Sequence, residues 1–83
     1  MKKVADLVKV NGTSERLSVT ATKLGLDFLQ QAVGGYIEHA RGIGRTELWC
    51  NENGIAEGLP FNSRASNLTG HRVLGDAIVE SWE

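Results

Sequence analysis

The feature that most constrains this chain is an apolar stripe at helical spacing that stops at a glycine pair. Leu26, Leu29 and Val33 fall on one line of a helix, and Leu24, Phe28 and Ala32 lie beside it. Lys23, Asp27, Gln30 and Gln31 take the other side. Such a broad apolar face needs a second layer to bury it. Gly34-Gly35 follows at once, and the left-handed backbone that closes a helix costs little only for glycine. Thr20 or Thr22 offers a hydroxyl to the unpaired N–H groups at the opposite end. The pattern predicts a single helix over residues 22–33, with Gly25 weakening its first turn only slightly.

Strand signals flank the helix. Residues 4–10 alternate weakly, with Val4, Asp6, Val8 and Val10 on one face and Ala5, Leu7 and Lys9 on the other. Asn11-Gly12 suits a turn that needs positive φ at two positions, and a second strand follows over 15–20 with Leu17 and Val19 inward. The N-terminal hairpin is thus expected over about 4–20. Beyond the helix, 36–41 and 46–50 read as strands joined by Gly42-Ile43-Gly44. Asn51-Glu52-Asn53-Gly54 carries turn chemistry, 55–57 resumes a short strand, and Gly58-Leu59-Pro60 redirects the chain. One helical turn at 62–67, a surface loop at 66–70 and a closing strand at 73–82 complete the pattern, with Gly75 at a bulge or close approach. The expected fold is a single α+β domain over 1–83: one main helix packed on a small, mostly antiparallel sheet of five or six short strands, with 36–82 as the sheet-forming remainder.

At 83 residues a single core is only marginally stabilising, so a homo-oligomer is expected, because a second copy adds buried surface without a longer chain. Lys2 and Lys3 precede a segment interrupted by Asp6 and Lys9, which is no leader pattern, and no apolar run reaches the length of a bilayer span. The expected compartment is the cytoplasm of a bacterial or phage-infected cell, with no membrane partner. Net charge is -1 with both signs interspersed, so neither the basic stripe of a general nucleic-acid binder nor the acidity of a DNA mimic is present. Cys50 is the only cysteine, which excludes an internal disulfide and a thiolate metal cluster. His39 and His71 are not spaced as metal ligands with it, so no metal and no cofactor are expected, and Cys50 reads as a small buried hydrophobe.

Three motifs stand in order: Val33-Gly34-Gly35-Tyr36-Ile37-Glu38, then Leu48-Trp49-Cys50-Asn51-Glu52-Asn53-Gly54, then Leu59-Pro60-Phe61-Asn62. Over residues 29–79 this order and spacing resembles a family of small domains of unknown function, DUF3846-like, common in bacteriophages and mobile elements. The resemblance implies a fold and no biochemical activity.

The polar groups in and beside these motifs form the candidate ligand-binding set: Tyr36, Glu38, Asn51, Glu52, Asn62 and Arg64. Each has a structural alternative. Asn51 and Glu52 are turn residues, Glu38 is a solvated strand residue, and Asn62 is suited to cap a short helix. Arg41, Arg45, Arg64 and Arg72 carry the planar fork that grips phosphate, and two of them in one pocket would point to a nucleotide. Scattered over the surface they would point to nothing. Tyr36, Trp49 and Phe61 offer stacking faces, against the need of a small core for every aromatic. Trp49 reads as core or subunit interface, and Trp82 as exposed or packed on a partner subunit.

Ser63, Ser66 and Thr69 lack a nucleophile-elbow context, and no phosphate-binding glycine loop with its lysine is present. The expectation is a non-enzyme. Its function would be to sequester a nucleotide-derived immune signal, of the cyclic nucleotide or cyclic ADP-ribose type. The alternative is a host-protein inhibitor acting through an aromatic patch at Trp49 or Trp82, or by strand addition.

Overall fold

The last strand of the chain lies at the centre of the sheet. In the computed structural model, which describes residues 2–83, β1 (Lys3–Val8), β2 (Ser14–Arg16), β3 (Ile37–Arg41), β4 (Glu47–Asn51) and β5 (Ala77–Trp82) are ordered β2-β1-β5-β4-β3. Met1 of the expected domain lies outside the described residues. All pairings are antiparallel, and β5 runs alongside all of β1 on one side and Glu47–Trp49 of β4 on the other. The architecture is α+β, as the sequence pattern predicts, with five strands.

The helical layer differs from expectation. Gly25 adopts φ 87° and ψ 159°, a conformation open in practice only to glycine, and splits the predicted helix into α1 (Ala21–Leu24) and α2 (Leu26–Val33). α2 then ends at Gly34 in the left-handed region, its N–H donating to the Gln30 carbonyl at 2.9 Å. Leu29 and Val33 are buried, but Leu26 and Phe28 are exposed. The break turns only part of the apolar stripe inward.

Both faces of the sheet are covered. On one, Leu29 packs with Ala5, Trp49 and Ile78, and Leu7 and Ile37 border the cluster. On the other, Ala65 of α3 (Ser63–Thr69) packs with Val8, Leu48, Val73 and Val79. Burial of each large side chain here contributes about 1.5–3 kcal/mol. Residues 66–69, expected as loop, are helical: Thr69 Oγ1 donates to the Ala65 carbonyl at 2.8 Å, and buried Ser66 Oγ accepts the Val73 N–H at 2.9 Å. Residues 55–57 form no strand, because 52–58 close a run of turns through Glu57 N–H to Asn53 O and Leu59 N–H to Gly54 O. Val73 and Leu74 precede β5, joined to the fold by a bridge between Phe61 and Leu74. Gly75 (φ 82°) separates them from β5, and a Cβ there would lie 2.8 Å from Leu59. Val19, expected inward, is exposed.

Candidate functional site

On the sheet face that carries α1 and α2, cross-strand register lines up charged residues in an otherwise apolar layer. Trp82 of β5 stands opposite Lys3 of β1, Glu80 of β5 opposite Glu47 of β4, and Glu47 opposite Arg41 of β3. Directly opposed carboxylates repel. Here Lys3 relieves the repulsion, with Nζ 3.3 Å from Glu47 Oε2 and 3.8 Å from Glu80 Oε1. Glu80 is buried, and its second oxygen accepts the Ala21 N–H at the start of α1. His39 stacks on Trp49 with centroids 4.5 Å apart, and its Nε2 lies 2.9 Å from Glu47 Oε1. That hydrogen bond, ahead of the one from Lys3, holds the Glu47 carboxyl below its usual range, so it is ionised at neutral pH.

The turn between β3 and β4 completes the arrangement. A Cβ on Gly42 would lie 2.8 Å from the Thr69 carbonyl, so glycine is required where this turn meets α3. Gly44 and Arg45 both have positive φ, and the Arg45 guanidinium carbon sits 5.5 Å from the Trp82 ring centre. Lys3 Nζ lies 5.4 Å from the same centre. The result is an open cavity of about 390 Å³ lined by Lys3, Arg41, Arg45, Glu47 and Trp82. Three cations face one carboxylate. Among the described residues, neither Arg41 nor Arg45 has an acidic partner, whereas Lys3 has two. Chemically this is a place for an anion beside a partly exposed aromatic ring.

The six residues singled out from the sequence do not form one site. Glu38, Asn51 and Glu52 line a separate cavity of about 200 Å³ with Cys50 and Arg72. Within it Asn51 is buried and structural: Oδ1 accepts the Asn53 N–H at 2.7 Å, and Nδ2 donates to Val33 O and Glu57 Oε1, both at 3.2 Å. The Cys50 thiol is pushed up by burial and then by Glu38, so it is the neutral, weakly nucleophilic form that lines this cavity. Asn62 is fully buried; Oδ1 caps α3 through the Ala65 N–H at 3.0 Å, and Nδ2 donates to Val8 O and Gly75 O, both at 2.9 Å. No polar atom of its side chain is left for a ligand. Tyr36 and Arg64 are exposed and border neither cavity. Of the four arginines weighed for phosphate, Arg41 and Arg45 converge, while Arg64 and Arg72 do not join them. Trp49 is buried, as its strand context predicts, and cannot contribute to a surface patch.

Sequence reasoning missed Lys3, Glu47 and Trp82 as members of a site. The one signal was charge at strand positions that period-two alternation turns toward an apolar layer, Glu80 following Ile78 and Glu47 preceding Trp49. Among the described residues, no group of three or more His, Cys, Asp or Glu is placed to hold a metal ion, and no helix is long and apolar enough to cross a membrane.

Comparison with curated proteins gives no match, and comparison with solved structures gives none. A family model does match, the domain of unknown function DUF3846, over residues 6–81, which takes in β2, β3, β4, all three helices and all of β5 but Trp82. The chain is therefore a member of the DUF3846 family.

Proposed function

We propose that this chain is a non-catalytic binding protein for a phosphorylated, nucleotide-type small molecule, held in the cavity of Lys3, Arg41, Arg45 and Trp82. The observation that carries the reading is the convergence of two arginines without acidic partners on one cavity beside an exposed aromatic edge. Two guanidinium forks match the oxygens of a phosphate, and charge-assisted hydrogen bonds of this kind contribute about 1.5–3 kcal/mol each. The cavity volume of about 390 Å³ falls in the range of small-ligand sites. A second copy of the chain laid over the opening would enclose the ligand, which is the support for a homo-oligomer. The use we assign to the pocket is sequestration of a nucleotide-derived immune signal, of the cyclic nucleotide or cyclic ADP-ribose type, in a phage-infected bacterial cytoplasm. Its support is the resemblance to proteins of phages and mobile elements.

The test is retention. Purified protein is incubated with a panel of nucleotide signals and filtered, and the retained fraction is heat-denatured. A compound that leaves the filtrate and returns intact on heating supports binding without catalysis. An altered product would make the protein an enzyme, and a panel left wholly in the filtrate would remove the small-molecule reading.

One observation favours a second reading. Tyr36 is 67% exposed and directly precedes β3, an edge strand of the sheet. That combination suits a host protein docking by strand addition. It predicts that Tyr36→Arg weakens capture of a host protein, with no nucleotide retained.

A further inference from the structure

The cationic cavity does not stand alone. Lys3 is also a wall of a second cavity, about 270 Å³, lined by Lys2, Arg16, Ser18, Thr20 and Lys23 among others, with no carboxylate in its lining. Six of the chain's nine lysines and arginines therefore face two adjoining cavities, in a protein whose net charge is -1.

Their availability differs. Arg16 is tied down, with Nε 2.6 Å from Asp6 Oδ1 and Nη2 2.8 Å from Glu83 Oε2. Lys3 is shared between Glu47 and Glu80. Lys2 and Lys23 make no ion pair among the described residues, although the charge of Lys2 reaches Glu83, and Arg41 and Arg45 make none either. Uncompensated positive charge is thus concentrated at two places, on either side of a neutralised Lys3 and the Trp82 that stands opposite it. A ligand with one phosphate satisfies one of them. A ligand with two phosphates joined through a nucleoside satisfies both, with its middle over Lys3 and Trp82.

We propose that the ligand is a dinucleotide-type molecule lying across Lys3, one phosphate held by Arg41 and Arg45 and the other by Lys2 and Lys23. This rests on the phosphate-binding reading of the arginine cavity. Ser18 and Thr20 add hydroxyl donors at the lysine end.

The test uses calorimetric titration of the whole protein with AMP and with the 5′-phosphorylated diadenylate pApA, which adds a second adenosine and a second phosphate; the lysine variant separates the two additions. The wild type is expected to bind pApA at least about tenfold more tightly, since one further charge-assisted contact exceeds the 1.4 kcal/mol of a tenfold change. The double variant Lys2→Ala/Lys23→Ala should bring pApA down to the AMP level and leave AMP unchanged. Both lysines are exposed, and urea unfolding verifies that the variant folds. The variant Arg41→Ala/Arg45→Ala should weaken both ligands. Equal affinity for the two ligands in the wild type would overturn the two-phosphate inference. So would pApA binding that Lys2→Ala/Lys23→Ala leaves intact, and in either case loss of both ligands in the arginine variant would keep the arginine cavity as a phosphate site. If neither ligand binds, or the arginine variant binds both as well as the wild type, the cavity reading falls and takes the inference with it. Affinity that climbs steadily with longer oligoadenylates would replace the dinucleotide by single-stranded nucleic acid.

Discussion

Arg45 holds its guanidinium carbon 5.5 Å from the ring centre of Trp82, and does so from φ 64°, a backbone conformation that residues with a Cβ seldom adopt. No other non-glycine residue described has positive φ. The turn before β4 thus keeps an arginine where glycine or asparagine would be less strained, and aims it at a ring contributed by the far end of the chain. Strain kept at a charged residue in a cavity points to function over folding.

Arg45→Asn separates the two. Asparagine tolerates the left-handed region, which relieves roughly 1 kcal/mol, while loss of an exposed cation–π contact costs about 0.5–1 kcal/mol. The terms offset, so urea unfolding should place the variant within about 0.5 kcal/mol of wild type, with anion binding weakened at least about tenfold. Destabilisation beyond about 1.5 kcal/mol would make Arg45 a structural anchor.

Asn62 is the opposite case. Asn62→Ala removes the cap of α3 and leaves the Val8 and Gly75 carbonyls without their donor in a buried setting. The expected loss is about 2–4 kcal/mol by chemical denaturation, from a cap of about 1 kcal/mol plus buried polar groups left unpaired. Asn62→Asp retains an acceptor for Ala65 but sets a carboxylate against the same two carbonyls, and should be no better than alanine. A variant at wild-type stability would return Asn62 to the list of ligand contacts.

Glu47 gives stability a pH dependence. Its carboxyl is held low in the folded protein, chiefly by His39, so the unfolded chain binds more protons as pH falls through the carboxylate range. The stabilisation is fully present above the ordinary glutamate value of about 4.3 and is lost as pH drops through the lower folded value. Glu83, lowered by Arg16, acts in the same direction. Denaturation midpoints should fall with acidification below about pH 5, and Glu47→Gln should flatten that slope without abolishing it. Removing the one carboxylate in the cavity lining should also strengthen anion binding severalfold, measured by titration at neutral pH.

Gly25→Ala tests the break between α1 and α2. At φ 87° and ψ 159° the cost of a Cβ is conformational, since a Cβ there meets nothing within 4 Å. A loss of about 1–3 kcal/mol is expected by thermal or urea unfolding. A gain would show that one continuous helix over 22–33 is accessible.

Local signals carried much of this fold. The helix stop at Gly34, the β3 and β4 strands and the Asn62 cap each depend on neighbours a few residues away, and each could be read from the chain. The break at Gly25 could not, because a lone glycine in an apolar stripe is compatible with a continuous helix. Residues 55–57 failed as a strand because the chain closes on itself through Asn53 and Gly54 before any partner is met. The site was the least legible part. Lys3 and Trp82 meet only because β5 pairs with β1, and Glu47 meets Glu80 only through the β4–β5 register. Separation along the chain, not residue type, hid them.

The most direct test of the account is an NMR titration of isotope-labelled protein with ADP-ribose. The account predicts that the side-chain Nε–Hε signals of Arg41 and Arg45 and the Trp82 indole N–H shift together and saturate, while the amides of Glu38, Glu52 and Arg72 stay in place. Shifts confined to that second group, or none at millimolar ligand, would contradict the claim that the Lys3–Arg41–Arg45–Trp82 cavity holds a phosphorylated molecule.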